Sequence, residues 1–90
     1  HFLATGEKLP EPSTREIRDI LLGHLENLYS FYGDYTGVRI ARKHISWYSK
    51  GQRHGAAFRQ AVNRIDNAEE QHAMVREFFD RLIEGEEMAA

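Results

Sequence analysis

Apolar residues recur at three- and four-residue intervals along most of this chain, and nowhere does hydrophobicity alternate over a useful length. That pattern restricts the backbone to helices, because positions three and four apart share one helix face whereas a strand needs period two. Ser13 followed by Glu16 forms a capping box in which each side chain satisfies the other residue's orphan backbone N–H, so a helix is predicted from Thr14. Ile17, Ile20, Leu21, His24, Leu28 and Phe31 supply its stripe, with Leu22, Leu25, Tyr29 and Tyr32 widening it, until Gly33-Asp34 stops it. Gly23 inside this helix costs about 1 kcal/mol relative to alanine, a loss more easily tolerated if another helix crosses closely there.

A second helix is predicted from about Thr36 to Lys50, ending at Gly51, and Gln52 to Gly55 reads as a turn. Ala56 to Arg64 carries Phe58, Ala61, Val62 and Ile65 at helical spacing. Asn67, with Glu70 three residues on, caps a fourth helix whose stripe is Val75, Phe78, Phe79, Leu82 and Ile83 before Gly85 and an acidic tail. The expected fold is all-α, a small four-helix bundle with short loops over residues 13–84. Ninety residues allow one modest core. Residues 1–12, with Gly6, Pro10 and Pro12, read as a linker, and 85–90 as the acidic tail. His1-Phe2-Leu3 opens without an initiator methionine, so a piece of a longer polypeptide is expected.

Charge is segregated. Between Tyr35 and Ile65 there are seven cations and no carboxylate, although the whole chain has a formal net charge of −2. The seven are Arg39, Arg42, Lys43, Lys50, Arg53, Arg59 and Arg64. Phosphate binding depends on local potential and counterion release, both set by neighbouring cations, so clustering of this kind implies a polyanionic partner. The bland alternative is a solvated helix face, but ordinary surfaces interleave both signs.

On a wheel at about 100° per residue, Lys43, Ser46 and Lys50 lie within about 40° of Arg39, and Arg42 about 60° to one side. Val38, Ile40, Ala41, Ile45, Trp47 and Tyr48 fall on the opposite half, which the helix can bury. The helix spans roughly 20 Å, the reach of several phosphates along a nucleic-acid backbone. Arg53 and Arg59 extend the patch from the next turn and helix. Trp47 and Phe31 are expected to pack in the core, while Tyr35, at the loop, is a candidate contact. His44, at about 140° on the wheel, is expected to face inward as a hydrogen-bonded histidine in preference to contacting nucleic acid.

Catalysis by this chain alone is not expected. It has no cysteine, no Gly-rich phosphate loop, no nucleophile beside a base and no credible carboxylate pair, and its histidines lack a metal-ligand spacing. The missing cysteines fit a reducing, cytoplasmic compartment. Neither a membrane-length apolar run nor a secretory signal is present, so no membrane partner is expected, and a monomer is.

Several runs together resemble one family: Phe31-Tyr32-Gly33, Gly37-Val38-Arg39-Ile40-Ala41-Arg42-Lys43-His44-Ile45-Ser46-Trp47-Tyr48, Gly55-Ala56-Ala57-Phe58-Arg59 and Asn63-Arg64-Ile65. The chain resembles the C-terminal helical domain of bacterial tRNA-dihydrouridine synthases, most like the B-type enzymes. Thr5-Gly6-Glu7-Lys8-Leu9-Pro10 is similar to the segment by which that family leaves its flavin-binding barrel. The resemblance implies a tRNA-binding domain that orients the D-loop so that an FMN-containing TIM barrel, absent here, reduces a uridine with NADPH as hydride source. It also implies that Arg39, Arg42 and Lys43 occupy the cationic positions of the family motif. Ser49 stands where relatives often carry a larger apolar residue. The competing expectation is a helical bundle that docks on a partner domain without touching RNA.

Overall fold

The computed structural model describes residues 13–89, the side chains of 87–89 excepted. The predicted linker 1–12 lies outside the described residues. Among those described there are three helices and no strand: α1 (Thr14–Ser49), α2 (Gly55–Val62) and α3 (Ala68–Ala89). Three are counted where four were expected, because the first two predicted helices follow one another across a kink within one 36-residue span. They join at Gly33, whose backbone (φ 84, ψ 164) is non-helical and lies in a region essentially restricted to glycine. A straight helix of this length would run about 54 Å. The break lets residues 34–49 fold back along 14–32 as a helical hairpin.

Gly37 shows how tightly the two arms close. A Cβ there would sit 2.8 Å from the Leu28 carbonyl oxygen and 3.0 Å from Tyr29 Cα, so backbone meets backbone beside the turn. Further along, the His24 and His44 rings stack at 6.0 Å and the Tyr48 ring lies 5.9 Å from His24. No such crossing occurs at Gly23. Nothing lies within 4 Å of a Cβ built there, so no close neighbour offsets the cost of that glycine.

Both predicted caps form. The Ser13 hydroxyl accepts from the Glu16 amide at 3.1 Å while Glu16 accepts from the Ser13 amide at 2.8 Å, and Asn67 Oδ1 accepts from the Glu70 amide at 2.9 Å. The predicted stop at Gly85 does not. α3 continues to Ala89, because Glu86, Glu87, Met88 and Ala89 all favour helix and no proline intervenes. The Thr14 hydroxyl donates to Glu86, tying that last stretch to the start of α1.

α3 lies antiparallel to the first arm. Arg18 pairs with Asp80 at 2.9 Å near one end, and His72 Nε2 lies 3.0 Å from Glu26 Oε2 nearer the other. Between the helices Leu21, Leu25, Ala41, Ile45, Phe58, Val62, Val75 and Phe79 form the core. Phe78 closes it against α2 by stacking on Phe58 at 4.0 Å and 9°. One buried polar group crosses all three segments. Gln71 Nε2 donates to the Val38 carbonyl at 3.1 Å, and Gln71 Oε1 accepts from the Tyr29 hydroxyl at 2.6 Å. Burial, and secondarily the charge of Asp34, pushes the Tyr29 pKa up, so this phenol keeps the proton it donates. That donation settles which end of the Gln71 amide is the acceptor, and its nitrogen is thereby aimed at the second arm.

Candidate nucleic-acid interface

The second arm of α1 is two-faced. Val38, Ala41, Ile45 and Ser49 are buried, so the positions on the far side, Tyr35, Arg39, Lys43, Ser46, Trp47 and Lys50, are left exposed. Burial of the first set against the first arm and α3 fixes the rotation of the helix. The cations point outward as a consequence.

Arg39 lies at the turn end, with its guanidinium carbon 5.6 Å from the centroid of the exposed Tyr35 ring. Lys43 and Lys50 lie further along and share a surface groove of about 430 Å³ with Ser46, Trp47 and Arg59. Arg59 reaches this groove from α2. Its Nη1 donates to the Ser49 carbonyl oxygen at 3.2 Å and approaches Ser49 Oγ at 3.4 Å. That contact offsets the negative end of the α1 dipole, which would otherwise repel an anion. Ser49 itself is fully buried beneath it. Arg53 is exposed on the following turn, in a separate groove with Gln52 and His54.

Arg42, unlike the other six cations, has an acidic partner among the described residues. Its Nη2 donates to the Ile65 carbonyl at 3.0 Å and to Asp66 Oδ1 at 2.7 Å, and its Nε is buried without a partner. A wheel position about 60° off the stripe puts it on the flank that faces the connection between α2 and α3. It fastens that connection to α1. Among the described residues Asp66 is the one carboxylate ion-paired with any of the seven cations, so the other six are not neutralised by ion pairs there.

Two aromatic assignments are corrected. Trp47 is 75% exposed and Phe31 81% exposed, although both were expected in the core. Phe31 lies just before the Gly33 break, where the arms part, and its ring meets Tyr32 edge-on at 4.8 Å. Trp47 lies about 80° from Arg39 and about 40° from Lys43 on the wheel, on the flank of the cationic face. That angle was readable in the sequence, but the weight given to an indole's hydrophobicity overrode it. His44 is half-buried against His24, in keeping with its inward wheel position, and among the described residues its partner is that ring and no hydrogen bond is made.

The described residues do not fit FMN. A flavin needs an enclosed cleft with a few polar groups converging on its ring and phosphate. A groove of about 560 Å³ lies between the turn after α1 and the end of α3, and its charged or imidazole groups, Arg53, His54, Arg81 and Glu86, are all exposed. No group of three or more metal-ligating side chains occurs among the described residues, and no helix there is long and apolar enough to cross a membrane.

Residues 1–84 match the family model described as dihydrouridine synthase (Dus). A tRNA-dihydrouridine synthase B of Xanthomonas axonopodis pv. citri is 56% identical over 85 residues, which cover 94% of this chain and 26% of the relative. The enzyme of the same name from Pseudomonas putida is 49% identical over 79 residues, covering 88% and 23%, and that of Vibrio cholerae 44% identical over 82, covering 91% and 26%. This chain spans about a quarter of the length of the curated relatives it matches. With a match running from His1 through most of α3, and identities near one half, the chain belongs to the dihydrouridine synthase family.

Proposed function

We propose that this chain is the tRNA-binding helical part of a tRNA-dihydrouridine synthase. The observation that carries the reading is the outward row of Arg39, Lys43 and Lys50, extended by Arg53 and Arg59, with none of the five in an ion pair among the described residues. Folded tRNA presents a dense phosphate surface of fixed shape, and a rigid cationic helix sets its orientation without reading sequence. Tyr35 adds an exposed ring at the turn end. Arg42 serves as a positioning residue that holds the α2–α3 connection against the same helix. Reduction of a D-loop uridine, with its FMN and NADPH, belongs to a TIM barrel of the parent polypeptide. The assembly acts as a cytoplasmic monomer.

A second reading is supported by the exposed Phe31–Tyr32 pair at the hairpin tip, which suits docking on a partner domain. The two readings differ in their salt dependence against RNA. If about four phosphates are neutralised, the logarithm of the tRNA association constant falls with the logarithm of salt at a slope of roughly −3 to −4. Fluorescence anisotropy of labelled tRNA over a salt series measures it. A slope near zero, or equal binding of an acidic protein of matched charge, favours the docking bundle.

A further inference from the structure

The groove beside the end of α1 combines two chemistries that the phosphate reading does not need together. Its lining is Lys43, Ser46, Trp47, Lys50 and Arg59: three cations, one hydroxyl, one indole and no carboxylate. Its volume, about 430 Å³, is that of a small-ligand cleft. Trp47 is three-quarters exposed there, and among the described residues no other ring stacks on it and no cation covers it. Tyr35, by contrast, already carries the Arg39 guanidinium. An uncovered indole bordered by cations matches a ligand with a flat apolar face and negative charge on either side. An unpaired nucleotide in an RNA strand has that form.

Resting on the RNA-binding reading above, we propose that Trp47 is a stacking platform for one unpaired nucleobase of the bound RNA, whose flanking phosphates lie on Lys43 and Lys50. Arg59 holds the floor of the groove through Ser49 and contributes its charge from below. Lys43 and Lys50 each lie about one turn of helix from Ser46, in opposite directions, and on either side of Trp47 in sequence, so the strand passes along the helix axis over the ring. The site therefore selects RNA with an unstacked base over continuous duplex. Phosphate contacts alone do not make that distinction.

Trp47 is the single tryptophan of the chain, so its emission reports this site alone. The unmodified chain is titrated with folded tRNA, with an unpaired RNA strand and with a blunt RNA duplex of equal phosphate number, while anisotropy of the labelled RNA records binding. Trp47 emission is expected to be quenched by tRNA and by the unpaired strand but not by bound duplex. W47A is expected to lose about tenfold in tRNA affinity and less than about twofold for duplex, with W47F restoring most of the loss. Unchanged emission while tRNA binds, equal quenching by duplex, or wild-type tRNA affinity in W47A would each overturn the stacking site and leave the phosphate reading standing. No binding of any RNA would overturn both. The quenching arm uses the native chain, so the test survives even a poorly folded W47A.

Discussion

Replacing Arg39, Lys43 and Lys50 together by glutamate (R39E/K43E/K50E) is expected to abolish retention of folded tRNA while leaving the helical fold intact. The substitutions exchange three positive for three negative charges along one face, taking the formal net charge from −2 to −2 − 6 = −8. Each lost phosphate contact removes close to one unit of salt slope, so the slope should shrink from roughly −3 to −4 to about −1 or less. Like-charge repulsion adds to the loss, and affinity at moderate salt should fall by about two to three orders of magnitude. None of the three side chains makes an ion pair among the described residues and all are exposed, so each substitution should change stability by no more than about 0.5 kcal/mol. Arg42 is left out of the set because its guanidinium closes on Asp66 and Ile65; reversing it would confuse a lost contact with a loosened connection. Arg76→Glu, on α3, is the matched control and should retain tRNA within about twofold, since a distant single charge is largely screened.

The largest effect on stability is expected at Phe79. It is the bulkiest of the fully buried side chains, packed with Leu21, Leu25, Ile45, Val62 and Val75, and its ring meets Phe78 edge-on at 5.2 Å. Truncation to alanine removes the ring's transfer energy and leaves a cavity that three crossing helical segments cannot all collapse to fill, a cost of about 3–5 kcal/mol. A domain of this size holds about 5–13 kcal/mol in total, so Phe79→Ala should lower the thermal midpoint by at least about 12 °C. Phe79→Leu, which conserves most of the volume, should cost under about 1.5 kcal/mol. Phe31→Ala offers the contrast, because that equally large ring is exposed and its loss should cost no more than about 0.5 kcal/mol. Equal destabilisation by Phe79→Ala and Phe31→Ala in urea unfolding would show that the core is not where α1 and α3 cross.

Local signals in the chain spoke most clearly where a single physical cause acts. The two caps at Ser13 and Asn67 depend only on residues three apart, and both form. The core stripe of α3 follows from spacing, and Val75, Phe79 and Ile83 are buried as that spacing implies. Gly33 was legible as a stop but not as a fold-back point, because the closeness of the arms is set by Gly37 meeting the Leu28 carbonyl, a tertiary contact. Gly85 was misread as an end because glycine is only a weak breaker when strong helix formers follow it.

The candidate site was legible in outline through charge alone. The placing of Trp47 in the core fails because a side chain was judged by type when its surroundings decide. Arg42 is a cation like its neighbours, yet its position on the flank brings it to Asp66. Trp47 is the most hydrophobic-looking residue of its helix, yet its angle places it among lysines in open groove. Wheel angle, read before residue type, separates Trp47 from the buried row.

The most direct test of the central claim, that the outward face of the second α1 arm is what meets RNA, is amide and indole chemical-shift mapping of the chain on adding folded tRNA. Perturbations are expected to concentrate at Tyr35, Arg39, Lys43, Trp47, Lys50 and the turn through Arg53, with α3 little changed from Val75 to Ile83. Shifts confined to α3 or to the Phe31–Tyr32 tip, with the cationic face unmoved, would contradict it.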